Sequence, residues 1–368
     1  MISIFQYSPS SFLTIKRVLG LIVLYSMMLS SSLSAAINNN EDAQLINDNW
    51  QYLEVAANSP EEALAIEGWQ QVSLPHTWNA TDTVDSTPGY RRNASWYRRT
   101  LSSDSAIGRD KRAILYFEGA NLETEVYVNG KLAGEHIGGY LGFEIEITDF
   151  LKPRRENELM VRVSNRYNPN LVPSQKADFF IHGGITRDLW LKTPPNDYIS
   201  RVIIDTPQVS AEVASTSVTV ATKLSSSGSQ KINLVASLLA PNGEEVSRTE
   251  SSFDVTGGEI DAKLALPKLP TPALWSIDTP NLYTLKASLI DENGKQLHSA
   301  SERFGYRWFE MRPHKGFFLN GERVLIRGTH RHEEHAGLGA ALLNEQHRRD
   351  MTMIKNMGAN FVLSLIHI

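Results

Sequence analysis

Three histidines and two glutamates crowd into the six residues His330-Arg331-His332-Glu333-Glu334-His335. Imidazoles and carboxylates can ligate a metal, carry a proton or hold a hydroxyl group. The string closes the run VLIRGTH, Val324 to His330. Side chains of a strand leave on alternate faces, so His330 and His332 share a side while Arg331 takes the other. Active-site groups gather where a parallel βα strand ends. His332 is therefore a better candidate for a substrate hydrogen bond than for zinc ligation. A metal cluster and a solvated loop without a role are the competing readings.

A second string, DFFIHGGITRDLW from Asp178 to Trp190, sets Asp178, His182 and Arg187 among aromatics and glycines. That mixture suits a loop facing a ligand. The competing reading is a Gly183-Gly184 turn held by a buried Arg187–Asp188 pair. Asn79 and Asp82 lie in the connection after LPHTWN and could reach a ligand, whereas Trp96 and Trp275 read as core. Asn344-Glu345 has the look of an acid/base pair. It lies at the start of an expected helix, where the macrodipole favours a glutamate for local reasons, and no catalysis is assigned to it.

The elements that must position these residues are mostly strands. ILYFEG (Ile114 to Gly119), EVYVNG (Glu125 to Gly130), GFEIEI (Gly142 to Ile147) and LMVRV (Leu159 to Val163) alternate apolar and polar residues, the period of half-buried strands. Asn129-Gly130 is a hairpin turn in which both positions tolerate positive φ. No amphipathic helix of useful length is read in this region, and many short strands suggest a jelly-roll or similar sandwich. LKTPPNDY (Leu191 to Tyr198) punctuates like a linker. The strands VIID, SVTVATKL, INLVASLL, AKLAL and YTLKASLI then fit an immunoglobulin-like sandwich ending near Arg312. Beyond it the character changes. VLIRGTH reads as a buried parallel strand, and Leu343, His347, Met351, Ile354 and Met357 fall at helical spacing, with Gly358 placed to stop the helix. ANFVL follows as a strand, which completes a βαβ unit.

Composition narrows the class. The 368 residues hold 36 Lys and Arg against 41 Asp and Glu, a net charge of −5 with no basic stripe, which argues against nucleic acid as partner. Cysteine is absent, which removes disulfides, thiolate nucleophiles and zinc–thiolate sites. Lys16 and Arg17 precede the apolar run Val18 to Leu29, which is short for a membrane span. Ser34 and Ala36 are the small residues expected before a cleavage point. Residues 1–36 are thus expected to be a cleaved signal, giving a periplasmic or extracellular protein with no lasting membrane association.

Read in order, LPHTWN, SWYRR, FEGANLETEVYVNGKLAGEHIGGYLGFEIEITDFL, DFFIHGGITRDLWL, LWSIDTPNLYTL, FGYRWFE, GFFLNGERVLIRGTHRHEEHAGLG and MIKNMGANFV resemble glycoside hydrolase family 2. This is the family of β-galactosidases, β-glucuronidases and β-mannosidases. The resemblance implies a mainly β chain: a signal peptide over 1–36, a jelly-roll sugar-binding domain over 37–195, an immunoglobulin-like sandwich over 196–312, and the start of a (β/α)8 TIM barrel over 313–368. It further implies that Asp178 lies on a loop reaching the barrel mouth, where it contacts sugar hydroxyls or, in some galactosidases, a sodium ion. His332 resembles the family histidine that hydrogen-bonds the sugar. RGTHRHEEHAGLG looks most like galactosidase-type sequences, so an exo-acting retaining β-galactosidase is the first expectation. The alternatives are a β-glucuronidase or another family 2 glycosidase, or a non-catalytic carbohydrate-binding protein of two sandwiches. The tail departs from the family pattern, because Leu363 stands where an arginine is usual and SLIHI follows. The acid/base and nucleophilic glutamates are expected beyond Ile368, so the chain as written is expected to be inactive and residues 313–368 to be poorly held. No cofactor is expected within it; magnesium and sodium, and a homo-oligomeric state, are admitted for an intact enzyme.

Overall fold

The computed structural model describes residues 42–104, 107–172, 179–225 and 230–364. The expected signal segment and Asp178 lie outside the described residues. No helix among the described residues is long and apolar enough to cross a membrane.

The first sandwich faces a six-stranded sheet against a four-stranded one. The larger sheet runs in the order Gln70–Val72, Trp50–Leu53, Ala94–Ser102, Glu156–Ser164, Glu123–Val128, Lys131–Ile137, and all its pairs are antiparallel. The smaller runs Ala43–Leu45, Leu189–Lys192, Ile114–Phe117, Phe143–Glu146. Trp50, Tyr97, Phe117, Leu159 and Leu189 are fully buried between the sheets. Asn129 and Gly130 both take positive φ, 52° and 78°, in the turn between paired strands. The short helix Pro60–Leu64 has an N-cap that the pattern of strands conceals: the Ser59 hydroxyl accepts from the amide of Glu62 at 3.2 Å, and Pro60 follows the cap.

The second sandwich pairs the sheet of Tyr198–Val209, Val213–Leu224 and Gly258–Ala265 with that of Glu245–Val255, Gln230–Leu239, Tyr283–Asp291 and Gln296–Phe304. Val220, Leu234, Leu285 and Tyr306 fill its centre. The proline segment has strands at both ends, so the connection shrinks to 193–197. Trp96 is core as expected, wholly buried with its indole N–H donating to the carbonyl of Ala57 at 3.0 Å. Trp275 is only half-buried. It lies against Gly305, and the Arg307 guanidinium covers it at 4.6 Å.

A three-stranded sheet, Phe309–Arg312, Gly316–Leu319 and Glu322–Arg323, bridges the expected border at 312. Its first hairpin belongs to both sides of that border, because Arg312 pairs with Gly316 across the turn. After it come the strand Gly328–Arg331, the helix Asn344–Asn356 and the strand Phe361–Ser364. The two strands pair in parallel, Arg331 opposite Ser364. The expected strand therefore starts four residues late: Val324 to Arg327 run outside it, because only 328–331 find a partner in Phe361–Ser364.

The expectation that this last part would be poorly held is corrected in one respect. Arg331, Glu333, Leu342 and Gly339 are buried, and a Cβ on Gly339 would stand 2.7 Å from the His182 ring and 3.0 Å from Thr77. The segment is thus seated on the first sandwich through its loop. The helix follows its sequence pattern only at His347 and Ile354. Met351 and Met357 are exposed, and the residues turned inwards are His347, Asp350 and Ile354, because the partner of that face is the guanidinium of Arg331.

Candidate active-site pocket

The loop before the strand Leu189–Lys192 has no sheet partner of its own over 179–183, so its backbone groups need other acceptors and donors. Asparagines supply them. Asn121 donates to the carbonyl of His182 at 2.7 Å, Asn165 to that of Ile181 at 2.8 Å, and Asn79 accepts from the amide of Gly183 at 2.8 Å. The hydroxyl of Thr77 donates to the carbonyl of Gly183 at 2.7 Å. Gly183 and Gly184 are required by proximity. A Cβ on Gly183 would stand 2.0 Å from the Trp78 ring, and one on Gly184 would stand 2.3 Å from the carbonyl oxygen of His76.

Asn79 is accordingly a fixture of the fold. It is fully buried, and its amide also donates to Asp82 at 2.9 Å and to the carbonyl of Arg91 at 3.0 Å. Both ends of the Asn79 amide are spent within the protein, and Asp82 accepts from Asn79 and from the amide of Arg91. The buried Arg187–Asp188 pair is corrected. Arg187 donates to the carbonyls of Glu118 and Tyr140, and Asp188 accepts from Asn47 at 2.9 Å.

His332 follows the C-terminal end of the strand Gly328–Arg331. Its ring centroid lies 6.1 Å from that of Phe179. His332 Nδ1 is buried and has no hydrogen-bond partner among the described residues. Burying such a nitrogen unpaired costs about 1–3 kcal/mol, which a ligand hydroxyl would recover. Phe179 and His332, 153 residues apart in sequence, thus come together.

Beside them His182, Arg187, Phe180, Tyr140, Glu334 and His347 line a cavity of about 30 Å³, room for a water but not for a sugar ring. His182 Nδ1 stands 3.6 Å from Glu334. Burial depresses the His182 pKa to about 4, against partial opposition from Asp82, and burial raises the Glu334 carboxyl above its ordinary value. Glu333, next in sequence, turns instead to Arg331 at 3.7 Å. Among the described residues no three His, Asp or Glu side chains come together as metal donors.

Two histidines predict an acid sensitivity. Burial also lowers His76 to about 4. Both rings are neutral in the folded protein at pH 6, whereas an unfolded histidine takes a proton near 6.5. A depressed folded value means stability is full above about pH 6.5 and is lost as the pH falls from there towards 4, by up to roughly 3 kcal/mol for each ring. Urea midpoints at pH 7.5, 5.5 and 4.5 should fall in that order, and His182→Gln should flatten the slope. A slope unchanged by the substitution would show that His182 titrates normally.

Two sandwiches lead into a parallel βα unit, with the loop of the first meeting the strand end of the last. The comparisons with known proteins name this arrangement. The profile of the glycosyl hydrolases family 2 sugar binding domain matches residues 46–195, that of glycosyl hydrolases family 2 matches 198–307, and that of the family's TIM barrel domain matches 310–364. The chain belongs to glycosyl hydrolases family 2. It is 47% identical over 363 residues to a Formosa agariphila protein named "Putative beta-glucuronidase", covering 97% of this chain and 43% of that one. It is 31% identical to a β-galactosidase of Thermoanaerobacter pseudethanolicus, over 80% of this chain and 39% of that one. The solved β-glucuronidase 2 of Bacteroides uniformis, with a bound cyclophellitol-6-carboxylate aziridine, superposes with a TM-score of 0.81 at 32% identity, over 87% of this chain and 39% of that one. The chain therefore spans less than half the length of these relatives.

Proposed function

We propose that the whole protein is an exo-acting retaining β-glycosidase, and that the described chain supplies the wall of its sugar site at Phe179 and His332. The observation that carries this is the approach of Phe179 to His332, which joins two segments far apart in sequence around an unpaired buried nitrogen. Retaining hydrolysis needs two carboxyls about 5–5.5 Å apart, one to protonate the leaving oxygen and one to attack the anomeric carbon. Glu333 faces Arg331 and Glu334 faces His182, so neither is assigned to that pair. Terminal β-glucuronosyl residues are the favoured substrate because of the relative at 47% identity. Terminal β-galactosyl residues are the second reading, on the string RGTHRHEEHAGLG and the relative at 31%. Export rests on Lys16-Arg17 and the apolar run after them.

Steady-state kinetics of the full-length protein on nitrophenyl β-glucuronide and β-galactoside decide between the two sugars. Turnover of neither would sink the proposal. Asp178→Asn keeps the shape and loses the charge. It is expected to lower kcat/KM by about 10- to 1000-fold, or about 1.4–4 kcal/mol of transition-state binding, with the melting temperature unmoved. Unchanged kinetics would remove Asp178 from the sugar site.

A further inference from the structure

The outward face of the six-stranded sheet is covered over only part of its width. Side chains alternate along a strand, so with Tyr52 and Tyr97 in the main core, Gln51 and Arg98 point away from it. Over one part this outer face is apolar: Leu53, Trp96 and Met160 are buried there with Ala63 of the helix Pro60–Leu64, and Trp69 packs against them. Towards the strand Gln70–Val72 the face turns polar. Gln71, Gln51 and Arg98 stand side by side on three strands in register, and Thr100 opposes Glu158 two residues further on. Together with Asn49 and Arg99 they line an open groove of about 420 Å³, within the roughly 300–1,000 Å³ span of small-molecule sites.

Arg98 is the group in this groove that needs a partner. Its guanidinium lies over the Trp69 ring, 4.3 Å from the centroid, and its Nε donates to the side-chain oxygen of Gln51 at 2.7 Å. These two contacts fix the guanidinium in place. Its two Nη groups donate to nothing among the described residues, and no carboxylate among them pairs with it. A guanidinium held in this way is pre-organised for the two oxygens of a carboxylate or sulfate, and pre-organisation removes much of the ordering cost of binding. Around it the amides, the Thr100 hydroxyl and the Glu158 carboxylate offer donors and acceptors in a mixture that complements sugar hydroxyls. Glu158 is the one carboxylate lining the groove against two guanidiniums, which leaves an excess of positive charge.

We propose that this groove is a second saccharide site, for an acidic sugar unit whose anionic group sits on Arg98. It shares no lining residue with the pocket at His182 and does not depend on which glycosidic bond the protein cleaves.

The test is titration calorimetry of the full chain with an oligoglucuronate, a sulfated oligosaccharide, a neutral galacto-oligosaccharide of equal length, and inorganic sulfate. At least one acidic series should bind tenfold or more tightly than the neutral one, and whichever does so names the anion. Arg98→Ala should weaken that binding at least tenfold and Arg98→Lys should restore only part of it, since the ammonium lacks the two-pronged edge. Gln71→Ala, at the far end of the row, should weaken it severalfold, and Gly243→Ala in the second sandwich should leave it unchanged. Melting curves of each variant exclude loss of fold as the cause. Equal affinity for the neutral sugar, equal affinity for inorganic sulfate alone, or an Arg98→Ala protein that binds as before would each overturn the proposal.

Discussion

Gly184→Ala is expected to destabilise the first sandwich by about 3–5 kcal/mol, among the largest effects of a single methyl group. Two costs add. The residue sits at φ +133°, a region that side chains rarely adopt, worth about 1–3 kcal/mol. The new Cβ would also stand 2.3 Å from the backbone carbonyl of His76 and 2.9 Å from the Tyr97 hydroxyl. Backbone cannot swing aside as a long side chain can, and overpacking of this kind costs about 1–3 kcal/mol more. Gly243→Ala is the control, since its φ is +87° with nothing within 4 Å. It isolates the conformational cost and should lose only about 1 kcal/mol. Denaturant midpoints of the two variants settle the matter. If they fall equally, the close approach to His76 contributes nothing. Because Asn121 donates to the carbonyl of His182 and pairs with Gly184, the same change should also displace the loop that carries His182.

Arg331→Ala should be the most damaging change in the βα segment. Arg331 is 9% exposed and donates to Asp350 through Nε at 2.8 Å and Nη2 at 2.5 Å, with His347 Nδ1 2.9 Å from Nη1. It is the link that ties the strand Gly328–Arg331 to the helix Asn344–Asn356. Removing it deprives a partly exposed carboxylate of its charged hydrogen bonds and costs about 1.5–3 kcal/mol. Hydrogen exchange should show the amides of 328–331 and 346–354 opening together in the variant, while those of 159–163 stay protected. Arg331→Met with Asp350→Leu removes both charges and should recover most of the loss. Failure of the double variant to recover would mean that the pair is not what holds the helix. Burial pushes the Asp350 carboxyl upwards, but hydrogen bonds from His335 and Arg331 outweigh it and hold the pKa below the ordinary range. The stabilisation is therefore present above about pH 4 and lost as the pH falls through the depressed value. This acid loss lies below the window of His182 and His76, so the two can be separated.

Much of this was legible in the sequence because it is local or periodic. Alternation in ILYFEG, EVYVNG and LMVRV places strands whatever they pack against, since a half-buried strand needs one apolar face. Asn129-Gly130 names its own turn, because few other pairs accept two positive φ values. Asp178 and His332 stood out by type, and the alternation set His332 apart from Arg331 without any partner being known. What alternation cannot say is what each face meets. Asn79 looked like a ligand contact because a polar residue in a connection has no visible partner in sequence. Its partners, Gly183 and Asn165, lie 104 and 86 residues away. The helix Asn344–Asn356 turns inwards His347 and Ile354 of the face its spacing suggests, with Asp350 in place of the methionines. The apolar spacing of Met351 and Met357 suggested packing, whereas a buried guanidinium outweighs a methionine in choosing the face, because an unpaired charge costs more than an exposed thioether. The late start of the strand at Gly328 has the same origin. Propensity allowed a strand from Val324, but a parallel ladder exists only where Phe361–Ser364 lies alongside. Local sequence thus fixed the elements and nominated the chemistry, and tertiary contacts over roughly a hundred residues or more decided which nominated groups were spent on the fold and which were left for a ligand.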